Sequence, residues 1–196
     1  MSLPERLVVN SGFFDIWRKW SARRLLRLVK KDHKRVLEIG CGKGTTTRLI
    51  RELLPRAEIV ATDFDFAQVT RARNRLRTAG RIHVQQADAS KLKFKDESFD
   101  AIFAFLTFHH IGAWRKALSE CFRVLAQGGI LYVDDLELKP FPKLQHFFFP
   151  TDGIFSRGEF IDALKHAGFT ILVAKSRYKF VVLARKPIKR SFVTKV

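Results

Sequence analysis

Cysteine is scarce in this chain of 196 residues, which contains only Cys41 and Cys121. Their number and spacing are not typical of a disulfide framework or a zinc site, so we expect a reducing compartment and no bound metal. No window is long and apolar enough to cross a bilayer, and the first residues, MSLPERLVVNSGFF, lack the basic and apolar regions of a secretion signal. We therefore expect a cytoplasmic protein.

Acidic residues are also few, with 19 Asp and Glu against 37 Lys and Arg and a net charge of +18. The excess is +7 in residues 1–35, +3 in 36–174 and +8 in 175–196, so the two ends carry most of it. Basic ends attract anionic partners such as RNA or an acidic membrane surface, although a merely solvated basic surface fits them equally. The hydrophobic content of 46% argues against disorder and indicates one compact domain.

Short apolar segments alternate with helical patterns after residue 34. The strand-like segments are RVLEI (35–39), AEIVATD (57–63), IHVQQAD (82–88), FDAIFAF (99–105) and ILYVDD (130–135). Between them, helical patterns begin near residues 45, 65 and 114, and the last is predicted to stop at Gly128 and Gly129. This alternation predicts a parallel sheet with helices on both faces.

The two ends of the chain follow different patterns. A helix is predicted after Ser156 as N-cap, followed by two strand-like segments, FTILVAK and YKFVVLAR, with two residues between them. So short a link predicts an antiparallel hairpin at one edge of the sheet. The apolar face of the segment GFFDIWRKWSARRLLRLVKK drifts around Ser21, which predicts two short helices or one bent helix. Its aromatic residues are predicted to pack on the domain, or to lie in a lipid interface or under an acceptor substrate, with Arg18, Lys19, Arg23 and Arg24 toward anionic groups.

The stretch VLEIGCGKG (36–44) places glycines directly after a strand and before a helix. A Gly-x-Gly turn at this point is typical of nucleotide binding at the carboxyl edge of an α/β sheet. The dinucleotide fingerprint needs a glycine or alanine at position 45, where this chain has Thr45, so NAD is disfavoured. The carboxylate of Glu38 favours a cationic or amine-bearing ligand over a pyrophosphate.

Two further acids follow the next strands. Asp63 ends ATDFD, where a carboxylate can accept hydrogen bonds from both hydroxyls of a ribose. Asp88 and Ala89 follow the third strand and are candidates for binding an adenine amino group and ring nitrogen. With Glu38, these positions describe a nucleoside that has a positive tail and no phosphates, as S-adenosylmethionine does. The alternative is that the glycines only form turns and the acids cap helices, the interpretation preferred for Asp65.

The stretches VLEIGCGKG, ATDFD, ADASKLKFKDESFDAIFAFLTFHHI and RKALSECFRVLAQGGILYVDDL are similar in order and spacing to the motifs of class I S-adenosylmethionine-dependent methyltransferases, nearest to the ubiquinone and menaquinone biosynthesis branch. The resemblance runs from about residue 35 to 185. It implies a three-layer α/β, Rossmann-like fold with a seven-stranded, mostly parallel sheet and an antiparallel last strand. It also implies a set of cofactor-binding residues: Glu38, Gly40, Cys41, Gly42, Gly44, Asp63, Phe64, Asp88, Ala89 and Phe105.

Two histidines, His109 and His110, follow the fourth strand and are the candidates for acid–base chemistry. Methyl transfer from a sulfonium needs a base only if the acceptor must lose a proton. The alternative is a loop histidine that holds a backbone carbonyl. Asp134 and Asp135, which end the fifth strand, could orient such a histidine or begin a turn. Motifs of base-modifying DNA methyltransferases are absent, which disfavours that class.

The predicted organisation is an N-terminal helical segment (1–34) that covers the site, a methyltransferase domain (35–185) and a basic tail (186–196). Within the domain, residues 138–155, rich in phenylalanine, are interpreted as an apolar acceptor lid or as core packing. The predicted function is methyl transfer from S-adenosylmethionine, with S-adenosylhomocysteine as product, to a small or lipid-like acceptor. The predicted partners are this acceptor and, by peripheral contact, an anionic membrane or RNA. The alternatives are an RNA methyltransferase and a non-catalytic cofactor-binding subunit.

Overall fold

The computed structural model describes residues 12–136, 153, 155–176 and 179–189. The helices are α1 (Gly12–Leu26), α2 (Thr45–Leu53), α3 (Phe66–Leu76), α4 (Trp114–Val124) and α5 (Arg157–His166), with a 3₁₀ turn at Phe108–His110. The strands are β1 (Arg35–Ile39), β2 (Glu58–Asp63), β3 (Ile82–Gln86), β4 (Phe99–Phe105), β5 (Leu125–Leu136), β6 (Thr170–Ser176) and β7 (Lys179–Arg185).

The seven strands form one sheet in the order β3-β2-β1-β4-β5-β7-β6. The first five strands pair in parallel, whereas β7 lies antiparallel between β5 and β6. This arrangement confirms the predicted fold class and the predicted C-terminal hairpin. Strands β2 and β3 are added on one side of β1, and β4 and β5 on the other, so the strand order reverses between β1 and β4. A crevice is expected at the carboxyl ends of these two parallel strands.

The core lies on both faces of the sheet, as consecutive strand residues point to opposite sides. Val36 and Phe103 belong to the cluster shared with α1 and α2. Leu37 and Ile102 belong to the cluster shared with α4 and α5. Both faces of the strands are therefore apolar, which explains their continuous hydrophobic character in the sequence.

The glycine pair Gly128 and Gly129 does not end a helix, so this prediction was wrong. Helix α4 already ends at Val124, and β5 begins at the next residue. The glycines lie inside β5, where its register with β4 shifts between Phe99 and Ala101. Gly128 has a φ of +77°, and a Cβ at Gly129 would lie 3.0 Å from a backbone oxygen of the adjacent strand. They allow an irregularity in the strand.

Three local predictions can be compared with the structure. Asp65 accepts a hydrogen bond from the backbone N–H of Ala67, and Ser156 caps α5 in a capping box with Glu159, so both N-caps are confirmed. The N-terminal segment forms one continuous helix through Ser21, which makes the two-helix alternative wrong. Ser21 is buried against the domain, so tertiary contacts override the shift in its apolar pattern.

The segment interpreted as an acceptor lid, 138–155, lies outside the described residues except for Gly153 and Phe155. Phe155 is fully buried, with its ring centroid 4.9 Å from that of Trp114 and 5.0 Å from that of Phe160. At this position the core-packing interpretation holds. Most of the basic tail, from residue 190 onward, also lies outside the described part. The described helices include none long and apolar enough to span a membrane.

Candidate active site

The loop between β1 and α2 needs its first glycine for close packing. Gly40 has a φ of +68°, and a Cβ there would lie 2.4 Å from the side chain of Thr107. The Thr107 hydroxyl donates to the carbonyl oxygen of Ile39 over 3.2 Å. The turn that follows β4, which carries both candidate histidines, is therefore held directly against the glycine loop.

The other loop residues have different surroundings. Gly44 has a φ of +82°, and a Cβ there would lie 2.7 Å from Leu76, so this glycine allows α3 to pack closely against the loop. Cys41 is fully buried, and its backbone N–H donates to the carbonyl oxygen of Thr62 over 2.9 Å. Burial raises the pKa of the Cys41 thiol well above its usual value, which makes it a poor nucleophile.

Glu38 is a fully buried carboxylate beneath this loop. Its two oxygens accept hydrogen bonds from the hydroxyls of Thr46 and Thr47, each over 2.5 Å. Burial raises the pKa of Glu38, while the two hydroxyls act in the opposite direction. The side chain thus fixes the first turn of α2 against β1 and places a carboxyl group at the end of the strand.

Asp63 joins the end of β2 to the glycine loop. Its Oδ2 accepts a hydrogen bond from the backbone N–H of Gly42 over 2.8 Å, and its Oδ1 accepts one from the N–H of Asp65 over 2.9 Å. Burial raises the pKa of Asp63, against the effect of these two donors. These two hydrogen bonds tie the glycine loop to the end of β2.

The remaining predicted cofactor residues differ in how exposed their side chains are. Asp88 is exposed and accepts hydrogen bonds at Oδ1 from the N–H and hydroxyl of Ser90, both over 2.8 Å. Phe64 is 73% exposed, and Ala89 is half-buried against the core. The Phe105 ring is only 2% exposed and stacks at 6.0 Å on Phe103, so it lies in the core. The predicted cofactor-binding role of Phe105 gains no support from this burial.

Sequence reasoning did not assign Arg18 of α1 to the site. This residue is only 7% exposed, and a Cβ at Gly42 would lie 3.1 Å from its Nη1. Its positive charge acts to lower the pKa of both Glu38 and Asp63. Among the described residues, its buried Nε has no hydrogen-bond partner. The only sequence signal was the basic character of the N-terminal segment.

The histidine turn begins at a strained residue. Leu106 has a φ of +54°, a conformation that is unfavourable for a side chain of this size. Its backbone N–H donates to the carbonyl oxygen of Asp134 over 2.7 Å. Strain of this kind persists only where the surrounding structure imposes it, and such residues cluster at functional sites.

His109 is buried and Asp135 holds its orientation. The His109 Nδ1 is hydrogen-bonded to Asp135 Oδ1, and Asp135 Oδ2 accepts from the backbone N–H groups of Phe108 (2.7 Å) and Thr107 (3.2 Å). Burial acts to raise the pKa of Asp135, but His109 and the backbone donors lower it below its usual value. His110 is exposed, with its ring centroid 4.0 Å from that of His109. Of the two predicted roles for Asp135, the structure shows orientation of a histidine.

A second buried charge cluster ties α1 to the sheet. The Ser21 hydroxyl donates to Asp134 Oδ2 over 2.6 Å, Lys179 Nζ lies 3.6 Å from the same oxygen, and Lys179 also donates to Ser21. Burial raises the pKa of Asp134 and lowers that of Lys179. Helix α1 is thus fixed at the carboxyl end of β5 as well as at the glycine loop.

Comparison with known proteins identifies the family. A protein-family model described as a methyltransferase domain matches residues 37–133, from β1 through the histidine turn into β5. A demethylmenaquinone methyltransferase of Thermus thermophilus is 36% identical over 126 residues, which cover 64% of this chain and 56% of that protein. Residues 37–133 therefore match a methyltransferase domain, in agreement with the class I S-adenosylmethionine-dependent family that the motifs resemble. The resemblance to the ubiquinone and menaquinone branch is thereby confirmed.

Other matches differ in what they support. A malonyl-acyl-carrier-protein O-methyltransferase of Legionella pneumophila is 28% identical over 137 residues, or 70% of this chain and 48% of that protein. The structure of an S-adenosylmethionine-dependent methyltransferase from Mesorhizobium loti gives a TM-score of 0.74 at 18% identity, covering 86% and 97% of the two chains, and supports the fold alone. This methyltransferase chain spans about half the length of the curated relatives it matches.

The site fits the cofactor of this family. The absence of a side chain at Gly42 lets the guanidinium of Arg18 approach the loop, and the buried Nε of this arginine has no hydrogen-bond partner among the described residues. Asp63 accepts a hydrogen bond from the N–H of Gly42. The site therefore offers a cation for a carboxylate and acids for hydroxyl and ammonium groups, which are the polar ends of S-adenosylmethionine. No group of three or more His, Cys, Asp or Glu in the described part of the chain could hold a metal ion.

Proposed function

We propose that this methyltransferase transfers the methyl group of S-adenosylmethionine to a small or lipid-like acceptor. The observation that carries the proposal is the glycine loop, which Asp63 holds from β2 while Arg18 faces it from α1. The demethylmenaquinone methyltransferase relative supports a lipid-like acceptor. The relatives cited here give no support to RNA methylation or to a non-catalytic subunit, the two alternatives from the sequence.

Each polar group of the site has a proposed part in cofactor binding. Asp63 accepts hydrogen bonds from the ribose hydroxyls, Arg18 binds the carboxylate of the methionine end, and Glu38 supplies negative charge near the ammonium group. The bound cofactor supplies an electrophilic methyl group on a sulfonium. The chain supplies positioning, because a preformed loop removes much of the entropy cost of aligning two reactants.

On the acceptor side, we propose that the His109–Asp135 pair removes a proton when the acceptor is a phenol or an acidic carbon. Asp135 fixes the ring and would stabilise the imidazolium that forms when the ring takes up a proton. The ring centroid of His110 lies 4.0 Å from that of His109, and desolvation together with His109 lowers the pKa of His110 to about 3, so His110 is a poor proton acceptor at neutral pH. The released thioether is neutral and requires no protonation, so one base is sufficient.

Arg18→Ala is expected to weaken binding of S-adenosylhomocysteine by about tenfold to a hundredfold, because an arginine–carboxylate pair is lost. Binding of 5′-methylthioadenosine, which lacks the amino-acid end, should change little. Arg18→Lys should restore part of the affinity. Isothermal titration of both ligands measures this difference. An equal loss for the two ligands would show that Arg18 only holds α1 in place.

The acceptor proposal is tested by incubating the protein with methyl-labelled S-adenosylmethionine and host lysate, then separating organic-extractable, nucleic-acid and small aqueous fractions. We expect label in the organic phase with the native protein and none above background with Asp63→Ala. Label in RNA, dependent on Asp63, would replace the lipid-like acceptor with the RNA alternative. No Asp63-dependent label in any fraction would contradict the enzymatic proposal.

A further inference from the structure

Helix α1 presents a surface that the cofactor site does not use. Its outer face consists of the exposed side chains of Ile16, Trp20, Arg23 and Arg24, and the exposed Arg27 follows directly after the helix end at Leu26. Its inner face consists of side chains that are all buried: Arg18, Ser21, Ala22, Leu25 and Leu26. We propose that the outer face of α1 is a contact surface for an anionic lipid membrane.

The apolar part of the outer face is conspicuous for its exposure. Ile16 is 70% and Trp20 73% exposed, and their spacing of four residues places them one above the other on the helix. A single exposed apolar side chain needs no explanation, but two adjacent large ones in the middle of a helix leave apolar area in water. Insertion into the headgroup and acyl boundary of a bilayer would bury both.

The basic part of the outer face follows the apolar part directly. Arg23 and Arg24 occupy the last turn of α1, and Arg27, Lys30 and Lys31 come shortly after its end. No acidic residue occurs in the sequence from residue 16 to residue 31. A cluster of basic side chains of this kind is attracted to anionic headgroups, and an exposed tryptophan beside it can enter the membrane interface.

The composition of this face favours lipid over RNA. Single-stranded nucleic acid is bound by aromatic rings that stack on bases alongside cations. Trp20 could stack in this way, but the branched aliphatic chain of Ile16 has no flat face to offer a base. A bilayer accepts both side chains and also neutralises the arginines through anionic headgroups. We therefore assign the surface to lipid, with RNA binding as an outcome that would contradict it.

The inner face of α1 links this surface to the site. Arg18 faces the glycine loop, and Ser21 is hydrogen-bonded to Asp134 at the end of β5. A helix held at the membrane by one face thus brings the carboxyl edge of the sheet close to the bilayer. This deepens the proposed function, on whose lipid-like acceptor the biological meaning of the contact rests, because such an acceptor resides in that bilayer.

Co-sedimentation of the full chain with phosphatidylcholine vesicles, with and without phosphatidylglycerol, tests the surface in the absence of cofactor and acceptor. We expect binding to the vesicles that contain phosphatidylglycerol only. Ile16→Ser with Trp20→Ser, and separately Arg23→Gln with Arg24→Gln, should each weaken binding by about tenfold or more. Lys93→Gln with Lys95→Gln removes the same charge from exposed positions elsewhere and should leave binding within about twofold.

Tryptophan fluorescence and thermal unfolding complement the co-sedimentation. Tryptophan emission of the native protein should shift to the blue on addition of anionic vesicles, and Trp20→Phe should bind with the shift largely lost. Thermal unfolding of each variant shows that α1 remains docked. No vesicle binding, equal losses in the two charge variants, or binding only to a single-stranded oligoribonucleotide would each overturn the proposal. Vesicle binding and tryptophan emission are measured without methyl transfer. A negative result in these measurements is therefore distinguishable from failure of the proposed function.

Discussion

Asp63→Ala is expected to weaken binding of S-adenosylhomocysteine by about a hundredfold or more, although the protein should still fold. Two charge-assisted hydrogen bonds to the ribose hydroxyls would be lost, each contributing about 1.5–3 kcal/mol. The same substitution removes the acceptor for the Gly42 N–H, so the glycine loop also loses a restraint. Isothermal titration with S-adenosylhomocysteine measures the affinity.

Asp65→Ala is the matched control for this substitution. Asp65 lies two residues away and caps α3 through the Ala67 N–H over 2.8 Å. Its loss should lower stability by about 1 kcal/mol and leave cofactor affinity nearly unchanged. Asp63→Asn, which keeps the shape but loses the charge, should lie between the native protein and Asp63→Ala. Retained tight binding by a folded Asp63→Ala variant would contradict the assignment of Asp63 to the ribose.

Asp135→Ala is expected to lower the free energy of unfolding by about 3–5 kcal/mol, because it removes one partner of a buried charged pair. The carboxylate is fully buried and accepts hydrogen bonds from His109 and from the backbone N–H groups of Phe108, Thr107 and Leu136. All four donors would be left in the interior without their acceptor. Urea unfolding followed by circular dichroism measures the loss.

The control is Asp96→Asn, which alters an exposed carboxylate paired with Arg123 over 2.7 Å. An exposed ion pair contributes little, so its loss should be much smaller than that of Asp135→Ala. A loss for Asp135→Ala no larger than that of the control would show that the His109–Asp135 pair does not stabilise the turn.

The pH dependence of stability provides an independent check on Asp135. Its folded-state pKa lies below the usual value of 3.8, so its stabilising effect is present above about pH 4 and is lost as pH falls through the folded-state pKa. The free energy of unfolding of Asp135→Ala should therefore decrease less than that of the native protein as the pH falls below about 4. An equal decrease in the two proteins would contradict the ionised state of the pair.

The same pair allows a structural role to be separated from a chemical one. His109→Gln keeps a donor for Asp135 but removes the titrating ring. If His109 acts as a base, turnover should fall far more than stability and the pH dependence of kcat should change. If His109 only packs the turn, turnover should follow the folded fraction.

Local patterns in the sequence predicted most of the sheet. The segments RVLEI and FDAIFAF coincide with β1 and β4, because runs of apolar residues bounded by polar ones are buried on both faces of a parallel sheet. The two-residue link after Ser176 was sufficient for the antiparallel hairpin. The glycine pair was misassigned, since the same residues that end helices also permit irregularities in strands.

Part of the candidate site was also predictable from the sequence, and part was not. The sequence placed Glu38 and Asp63 together, because the carboxyl ends of adjacent parallel strands meet at one edge of the sheet. It could not place Phe105 in the core or Asp88 at an exposed turn, because burial there depends on which helices cover each strand end.

Sequence motifs were sufficient to predict the family, the fold class and the cofactor, because glycine turns and strand-end acids at fixed spacing are local requirements of the chemistry. Only the tertiary structure paired His109 with Asp135 and brought Arg18 to the glycine loop. These partners are 26 and 24 residues apart along the chain. Contacts between separate elements depend on how helices dock on the sheet, and no local pattern specifies that docking.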